Sequence, residues 1–560
     1  MDGTMAYIVA HNILSPLGVT SRENYLAVRD GRSALRSYTA KDLGVVEPAT
    51  ASLIADAEFS SFEQKAVVSV NEAISQLPSD FVWGKSLLIL SSTKGDSSRL
   101  GDSSWTLGDS ARKIAGSAGI STEPIVVSNA CISGLSAIIL ACRLVDDMAY
   151  DTIVVCGIDE VSPFVTSGFQ SLKALSPSSC RPFDMERNGL NLGEAAATVI
   201  ISRRRVSGCR HIADGVVSND AYHLTSPSRT AGGQTRCLTR LLEVTDKENI
   251  GFVNLHGTAT FFNDQMESIA IRNVGLSELP ANALKGYFGH TLGAAGVLET
   301  IVSLLAAEDG VVLATRGFEQ LGVSGKVNLS ASERSAGKHS FIKMLSGFGG
   351  CNAAVLIDKG SDNVESDRPT WLNGSKDIQR THRVRIMPES IEIDGIGVDI
   401  DAGGGDMLTA IYKQRIGDYP KFYKMDGLSR LGFIASELLL RAEGKIDCPD
   451  RAVIMFNRTS TIETDRRYIE QISDSDNFYP SPSLFIYTLP NIVTGEIAIR
   501  NGWHGETAMY VMPDRSEAME QTVVETTCRH GGAGSALAGW IDYPDGDNYC
   551  ADLSIYEVHR

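Results

Sequence analysis

The chain has 560 residues, 43% hydrophobic and 21% charged, and a formal net charge of −17 at pH 7. That length calls for more than one domain, while the acidic balance argues against a nucleic-acid binder and makes any acidic partner depend on a local basic patch. No run of about 18 apolar residues marks a membrane span, the opening residues lack a signal-peptide pattern, and ten cysteines without a CxxC pair read as reduced thiols of a cytoplasmic protein.

Tyr7–Ile13 reads as a short apolar strand, Ser15–Gly18 as a turn and Ser21–Asp30 as a capped helix. Phe62–Leu77 carries Ala66, Val67, Val70, Ala73 and Ile74 at helical spacing, and Leu87–Leu90 is a strand ending in Ser91-Ser92-Thr93. Ile125–Val127 predicts a buried strand, and the pattern turns helical from Ser133. Cys131 therefore falls at a strand-to-helix turn, where unpaired N–H groups and the helix dipole favour a thiolate. A cysteine there also reads as a space-filling core residue. Thr152–Cys156 and Ala195–Ser202 are further buried strands flanking the irregular segment Cys180–Glu194. Strands alternating with helices predict an α/β core with a mostly parallel sheet. Arg203, Arg204, Arg205 and Arg210 form the one basic cluster suited to anchor an acidic partner.

Further on, His256 ends the strand Gly251–Leu255, and Lys285–His290 is a glycine-containing loop before the helix Leu292–Glu308. Phe348 lies in a Gly-Phe-Gly-Gly turn between the strands Ile342–Leu345 and Asn352–Ile357. These segments and Cys131 all lie at or near strand ends, where open α/β sheets place their sites. A cysteine nucleophile accepts an acyl group if two N–H donors hold the oxyanion, and the Cys131 amide and one from the glycine turn are candidates. A Cys/His hydrolase needs one histidine and an Asn or Asp to orient it; two histidines in glycine-rich loops suit enolate stabilisation better. Spacing alone leaves their convergence open.

Five segments in order resemble one family. SNACISG around Cys131, RPFD…RNG…GE at Arg181–Glu194, HGTATFFNDQMES from His256, KGYFGHTLGAAG from Lys285 and GFGGCNA around Phe348 resemble the motifs of the Cys-His-His β-ketoacyl-[acyl-carrier-protein] synthases. The resemblance covers residues 1–358 and implies a thiolase-like, layered α/β/α/β/α fold. It implies acyl transfer to Cys131, then decarboxylative Claisen condensation with a malonyl carrier protein in fatty acid, polyene or polyketide synthesis. In its terms His256 and His290 bind the malonyl thioester, and Lys285, paired with Glu267, supports the electrostatics. Phe348 is the gate, its amide completing the oxyanion hole with that of Cys131. Asp264 and Glu267 are supporting residues, and Thr258 and Thr260 contact the pantetheine arm. No metal or bound cofactor is implied, phosphopantetheine arriving on an acyl carrier protein, and the expected assembly is a homodimer or a ketosynthase heterodimer. A non-catalytic, chain-length-factor-like or scaffold partner is the competing reading. Three local departures remove no catalytic group: a first strand without the usual glycines, Gly286 after Lys285, and Cys351 after the glycine turn. The segment before the nucleophile is shorter than usual, and much of the dimer contact and acyl pocket belongs there.

Residues 359–388 read as a linker, and the chain then begins again. Ser390–Gly405 resembles the family's opening strand and turn, Lys421–Leu440 parallels Phe62–Leu77, Ala452–Thr459 parallels Ser86–Thr93, and Pro482–Gly505 resembles the approach to the nucleophile. Residues 389–560 are therefore expected to form a thiolase-like half-domain without a nucleophile, closed by a hairpin across PDGDN, and to restore the interface or acyl pocket shortened in the first domain. A half-domain alone exposes a sheet edge and an apolar face, so it should pack on the first domain or on a partner.

Overall fold

The computed structural model describes residues 6–359 and 377–559, apart from residues 55–58, 60, 103, 402–405, 445 and 475–477. The first sheet uses β1 (Tyr7–Leu14), β2 (Ser86–Ser91), β3 (Ile125–Val127), β4 (Thr152–Asp159) and β5 (Ala195–Ser202) in the order β1-β5-β4-β2-β3. Helix α1 (Phe62–Ser75) covers its outer face, and α2 (Ser133–Asp146) its inner face. A second sheet is built from β6 (Arg210–Asn219), β7 (Ile250–Asn254), the short strand β8 (Ala281–Asn282), β9 (Ser340–Gly347) and β10 (Cys351–Asp358), in the order β8-β7-β9-β10-β6. Helices α3 (Gly232–Val244), α4 (Phe261–Asn273) and α5 (Ala295–Glu308) complete the layers, with α2 and α5 between the sheets and α3 on the outer face.

The central layer explains the sequence of α2. With a sheet on either side, Ser133 to Val145 are all buried, and the helix is apolar or small all round except for Arg143, whose guanidinium pairs with Glu506 at 2.8 Å. Strands covered on both faces are likewise near-continuous apolar runs. The sheets are mixed, where the strand–helix alternation predicted mostly parallel ones: β2 pairs parallel with β3 and β4, but β5 runs antiparallel to β4 and β1. In the second sheet the Gly-Phe-Gly-Gly turn joining β9 to β10 is too short for a crossover and fixes that pair as antiparallel.

The second part begins earlier than expected. Asp377–Met387, inside the segment read as a linker, is an eleven-residue strand, β11; residues 360–376 lie outside the described part. Ser390–Ile393 is not the opening strand of the repeat but β12, which folds back on β11; residues 402–405 of the expected turn are likewise not described. The second part's longer elements and the short strand β13 (Ile396–Gly397) follow: α6 (Gly427–Glu443), β14 (Ala452–Asn457), α7 (Ile462–Ile472), α8 (Ile492–Asn501), β15 (Thr507–Val511), α9 (Glu517–His530), β16 (Ser535–Asp542) and β17 (Cys550–His559). Their sheet runs β11-β17-β16-β14-β15. Both its order and its succession of two antiparallel and two parallel ladders repeat those of the first sheet. The closing hairpin forms where PDGDN predicts it, between β16 and β17.

The two sheets meet edge to edge. Tyr510 and Val511 of β15 pair antiparallel with Val127 and Val126 of β3, making one continuous sheet across the two modules. The far edge is shortened by the β11–β12–β13 return, in which β13 has two residues.

Candidate active site

Cys131 sits in a single 3₁₀ turn, Ala130–Ile132, between β3 and α2. Ala130 has φ of +47°, a left-handed conformation that turns the chain sharply ahead of the helix. The turn is fixed from both modules. The Ser133 hydroxyl donates to Ala130 O at 2.6 Å and accepts from Asn129 N at 2.8 Å, while Asn129 Oδ1 accepts from Met509 N of β15 at 2.6 Å.

His256 follows β7, and its loop is held by carboxylates. Glu267 accepts from His256 N at 2.6 Å and Gly257 N at 2.8 Å; Asp264 accepts from Phe183 N at 2.6 Å and Ala259 N at 3.2 Å. His290 follows the short helix Lys285–Phe288, where a loop was expected, and precedes α5. Helices α2 and α5 cross backbone to backbone: a Cβ on Gly296 would lie 2.3 Å from Leu135 N, and one on Gly134 would lie 2.8 Å from Gly293 O. No larger residue permits that approach, and it draws His290 to the nucleophile turn. Cys131 Sγ and one ring nitrogen from each of His256 and His290 lie within 4.8 Å of one another. The imidazole centroids are 5.2 Å apart and nearly perpendicular.

Leu292 N donates to His290 Nδ1 at 3.3 Å, so Nδ1 is the acceptor and Nε2 carries the proton. That Nε2 and His256 Nδ1 are buried without a hydrogen-bond partner. Burial, and then the nearby Lys285 charge, holds both imidazoles well below their ordinary pKa and therefore neutral. Cys131 departs from expectation. Burial pushes its thiol up to about 12, and the pull of Lys285 and of the Cys131 and Phe348 amides only offsets part of this. The helix terminus is present, but desolvation at the floor of the site outweighs it, so the resting group is a thiol.

Lys285 is not paired with Glu267. Its ammonium donates to His256 O at 2.7 Å and to Glu299 Oε1 at 2.7 Å, and Lys343 Nζ donates to Glu299 Oε2 at 2.5 Å. All three side chains are buried. Burial raises the Glu299 carboxyl, but the two ammonium groups overcome this and hold it below its ordinary value. The fully buried Glu267, by contrast, is pushed up by burial and by Asp264. The cluster therefore sets two ammonium groups against one carboxylate, with Glu299 and Lys343 as members that motif reasoning passed over.

Phe348 stacks on Phe169 with centroids 6.2 Å apart. Its carbonyl accepts from Asn491 Nδ2 at 2.8 Å, and α8 passes so close that a Cβ on Gly495 would lie 2.7 Å from Gly349 O. A cavity of about 360 Å³ is lined by Cys131, both histidines, Phe348, Thr258 and Thr260; the two threonine hydroxyls are 2.8 Å apart. A second, narrow cavity meets it at Cys131, Phe169 and Phe348 and runs between the modules. The basic cluster is largely taken up by its own chain. Arg203 pairs with Asp151, Arg205 lies 5.2 Å over the Tyr7 ring, and Arg210 is 3.5 Å from Glu308.

Residues 94–206 match the family model "Beta-ketoacyl synthase, N-terminal domain", and residues 211–319 match "Beta-ketoacyl synthase, C-terminal domain". These two stretches are what the chain shares with the β-ketoacyl synthases. The ketosynthase region is 31% identical over 257 residues to 3-oxoacyl-[acyl-carrier-protein] synthase 2 of Coxiella burnetii, covering 42% of this chain and 62% of that protein. It is 29% identical over 269 residues to the tetracenomycin polyketide synthase ketoacyl synthase alpha subunit of Streptomyces glaucescens, covering 44% of this chain and 62% of the relative. The chain thus spans about three fifths of the length of these relatives. A structure titled "PfaC Keto synthase-Chain length factor" matches all of this chain and 78% of its own, with TM-score 0.80 at 13% identity, so the shared fold extends through residues 377–559. The ketosynthase ApeO, solved with its chain length factor ApeC from Xenorhabdus doucetiae, is 25% identical, with TM-score 0.56 over 64% of this chain and 98% of that one. The layered, thiolase-like architecture expected from the motifs is the one found. Among the described residues no helix is long and apolar enough to cross a membrane.

Proposed function

We propose that the chain is a 3-oxoacyl-[acyl-carrier-protein] synthase in which the ketosynthase region is catalytic and residues 377–559 are its built-in, non-catalytic counterpart. The observation that carries the reading is the convergence of Cys131 Sγ with two neutral imidazoles at the junction of a wide and a narrow cavity.

Acyl transfer starts with the thiol. Its proton passes to an adjacent neutral imidazole as sulfur attacks the thioester carbonyl of an acyl carrier protein, and the Cys131 and Phe348 amides hold the tetrahedral oxyanion. Collapse breaks the carbonyl–sulfur bond to pantetheine, whose thiol leaves with a proton. A malonyl thioester then lies along the wide cavity past Thr258 and Thr260, its carbonyl oxygen facing the histidines. His290 Nε2–H donates to that oxygen as carbon dioxide departs, and the positive field of Lys285 and Lys343 stabilises the enolate. The enolate carbon attacks acyl-Cys131; a carbon–carbon bond forms, the bond to Cys131 breaks, and a 3-oxoacyl thioester leaves. Phosphopantetheine would come with the carrier, and the chain's own residues would suffice for the chemistry.

The counterpart reading of residues 377–559 rests on register. Ser91 pairs with Val127, and the matching end of β14, Asn457, pairs with Val511. Four residues beyond Val127 stands Cys131; four beyond Val511 stands Arg515, bonded to Glu520 at 3.1 Å and Asp552 at 2.9 Å. The partner that a ketosynthase finds in a second chain would here be supplied within one.

The test is intact mass after incubation with acyl-loaded carrier protein, with Cys131→Ala alongside. A gain of one acyl group in the parent alone, followed by release of a 3-oxoacyl product on adding malonyl carrier protein, is expected. A folded parent that gains no mass with any donor would falsify the reading. His290→Ala should acylate yet condense about 100- to 1,000-fold more slowly.

A further inference from the structure

The glycine turn at Phe348 does not hold its own shape. Gly349 and Gly350 have φ of +89° and +73°, and without a Cβ the backbone at both is free to take many other conformations. The chemistry asks for precision here, since the Phe348 N–H must face the oxygen that develops charge on an acyl group bound to Cys131. The turn starts against the nucleophile: a Cβ on Gly347 would lie 3.3 Å from Cys131 N.

The direction of that amide is set by what holds the backbone on either side of it. Upstream, Gly347 pairs with Cys351 at the end of the β9–β10 ladder. Downstream, the Phe348 carbonyl accepts from Asn491 Nδ2 at 2.8 Å and from the Cys351 thiol, a weak donor, at 3.3 Å. The next residue is held within the first module, Gly349 N donating to Leu224 O at 2.6 Å and Gly349 O accepting from Asn219 Nδ2 at 2.9 Å. The strong bond to the Phe348 carbonyl thus comes from the second module.

Asn491 is committed to this contact. It stands immediately before α8, where an asparagine side chain ordinarily accepts from its own helix, and it makes no such cap bond. The residue is 2% exposed, and its Oδ1 is buried without a hydrogen-bond partner. A leucine would fill the same space without burying an unpaired oxygen. Space-filling therefore does not account for an asparagine here; the donor does.

We infer that Asn491 is a positioning residue for the oxyanion hole. By holding the Phe348 carbonyl it aims the Phe348 amide at the acyl group on Cys131, so the second module takes part in acyl transfer without touching the substrate. This rests on the condensing reading above. It separates three reactions of one site. Acylation passes through a tetrahedral oxyanion and depends on the amide. Alkylation of Cys131 by iodoacetamide displaces iodide at a saturated carbon and forms no oxyanion. Decarboxylation of a malonyl thioester places its enolate oxygen at the histidines.

The experiment compares the full chain with Asn491→Leu. Intact mass against time with butanoyl-pantetheine gives the acylation rate, which should fall about 10- to 100-fold at saturation, the donor being misaimed and not removed. The half-saturating concentration should stay within about threefold of the parent's, as should iodoacetamide alkylation and carbon dioxide release from malonyl-pantetheine. Asn491→Ala should show the same split, because the lost donor and not the lost volume sets it. Equal losses in all three reactions, or failure of both variants to fold, would make Asn491 a structural residue and overturn the inference. A folded variant that acylates at the parent's rate overturns it as well. Absence of acylation in the parent overturns the condensing reading itself, whereas parent acylation that is indifferent to Asn491 removes only the positioning role.

Discussion

Helices α2 and α9 occupy equivalent places in two copies of one half-fold, and they differ in a way that shows what each copy is for. Helix α2 lies between two sheets, is buried throughout, and presents Cys131 at its start. Helix α9 packs on one side against its own sheet and α2, burying Val523, Val524, Thr527 and Cys528, and turns Glu517, Ala518 and Gln521 outward. The second module has no second sheet, and its helix carries a polar face where that sheet would sit. It is a half-fold adapted to stand without its other half, with an ion-paired arginine where the first copy has its nucleophile. A fragment left over from a lost domain would keep the apolar face.

The largest expected effect comes from removing the second module. A chain ending at residue 359 loses the β15 ladder on β3, the Met509 and Asn491 bonds to the nucleophile and Phe348 turns, and two walls of the narrow cavity. It should be insoluble or unable to acylate Cys131; a soluble, dimeric and fully active product would show that the first module is complete without the second. Next is Glu299→Leu, which strands two buried ammonium groups and should lower unfolding free energy by about 3–5 kcal/mol in a denaturant titration. Arg515→Leu in the second module, where the pairs are a third exposed on the arginine side, should cost no more than about 1 kcal/mol and leave acylation unchanged.

A pH series distinguishes the two accounts of the nucleophile. With the thiol at about 12, iodoacetamide alkylation of resting Cys131 should rise about tenfold per pH unit from pH 6 to 9, because the thiolate fraction climbs across that whole window. A plateau near pH 7 would mean that the helix terminus prevails over burial after all. The smallest effect is on an exposed helix face. Gln521→Leu on the outer face of α9 should change stability by no more than about 0.5 kcal/mol, whereas Ala137→Leu, within the double-sided α2 layer, should cost about 1–3 kcal/mol through overpacking.

Strands β2 to β5 were legible because burial on both faces leaves little but apolar residues in them, and Cys131, His256, His290 and Phe348 because each sits in a distinctive loop. Strand β11 was not. Gln379, Arg380, Thr381 and Arg385 are exposed, so Asp377–Met387 has the composition of a linker, and only its pairing with β17 and β12 makes it a strand. The Lys285 counter-charge was missed for another reason: Glu299 is fourteen residues away on the next helix, and no local pattern joins them. A signal did exist, since Glu299 interrupts an otherwise apolar helix and Lys343 an otherwise apolar strand, and buried charges seldom stand alone. The thiol's protonation state lay beyond reach because desolvation depends on the whole enclosure and not on the turn.

The β3–β15 junction has a consequence for mass action. Two chains that complete one another's sheets come apart on dilution, and their stability and turnover then depend on protomer concentration. Here the complementary strand is tethered in the same polypeptide, so specific activity should hold constant down to nanomolar enzyme. On the proposed reading, every molecule also carries one catalytic half and one silent half in fixed ratio. A damaging change in the silent half is therefore inherited by its own active site and cannot be complemented by mixing in a sound copy.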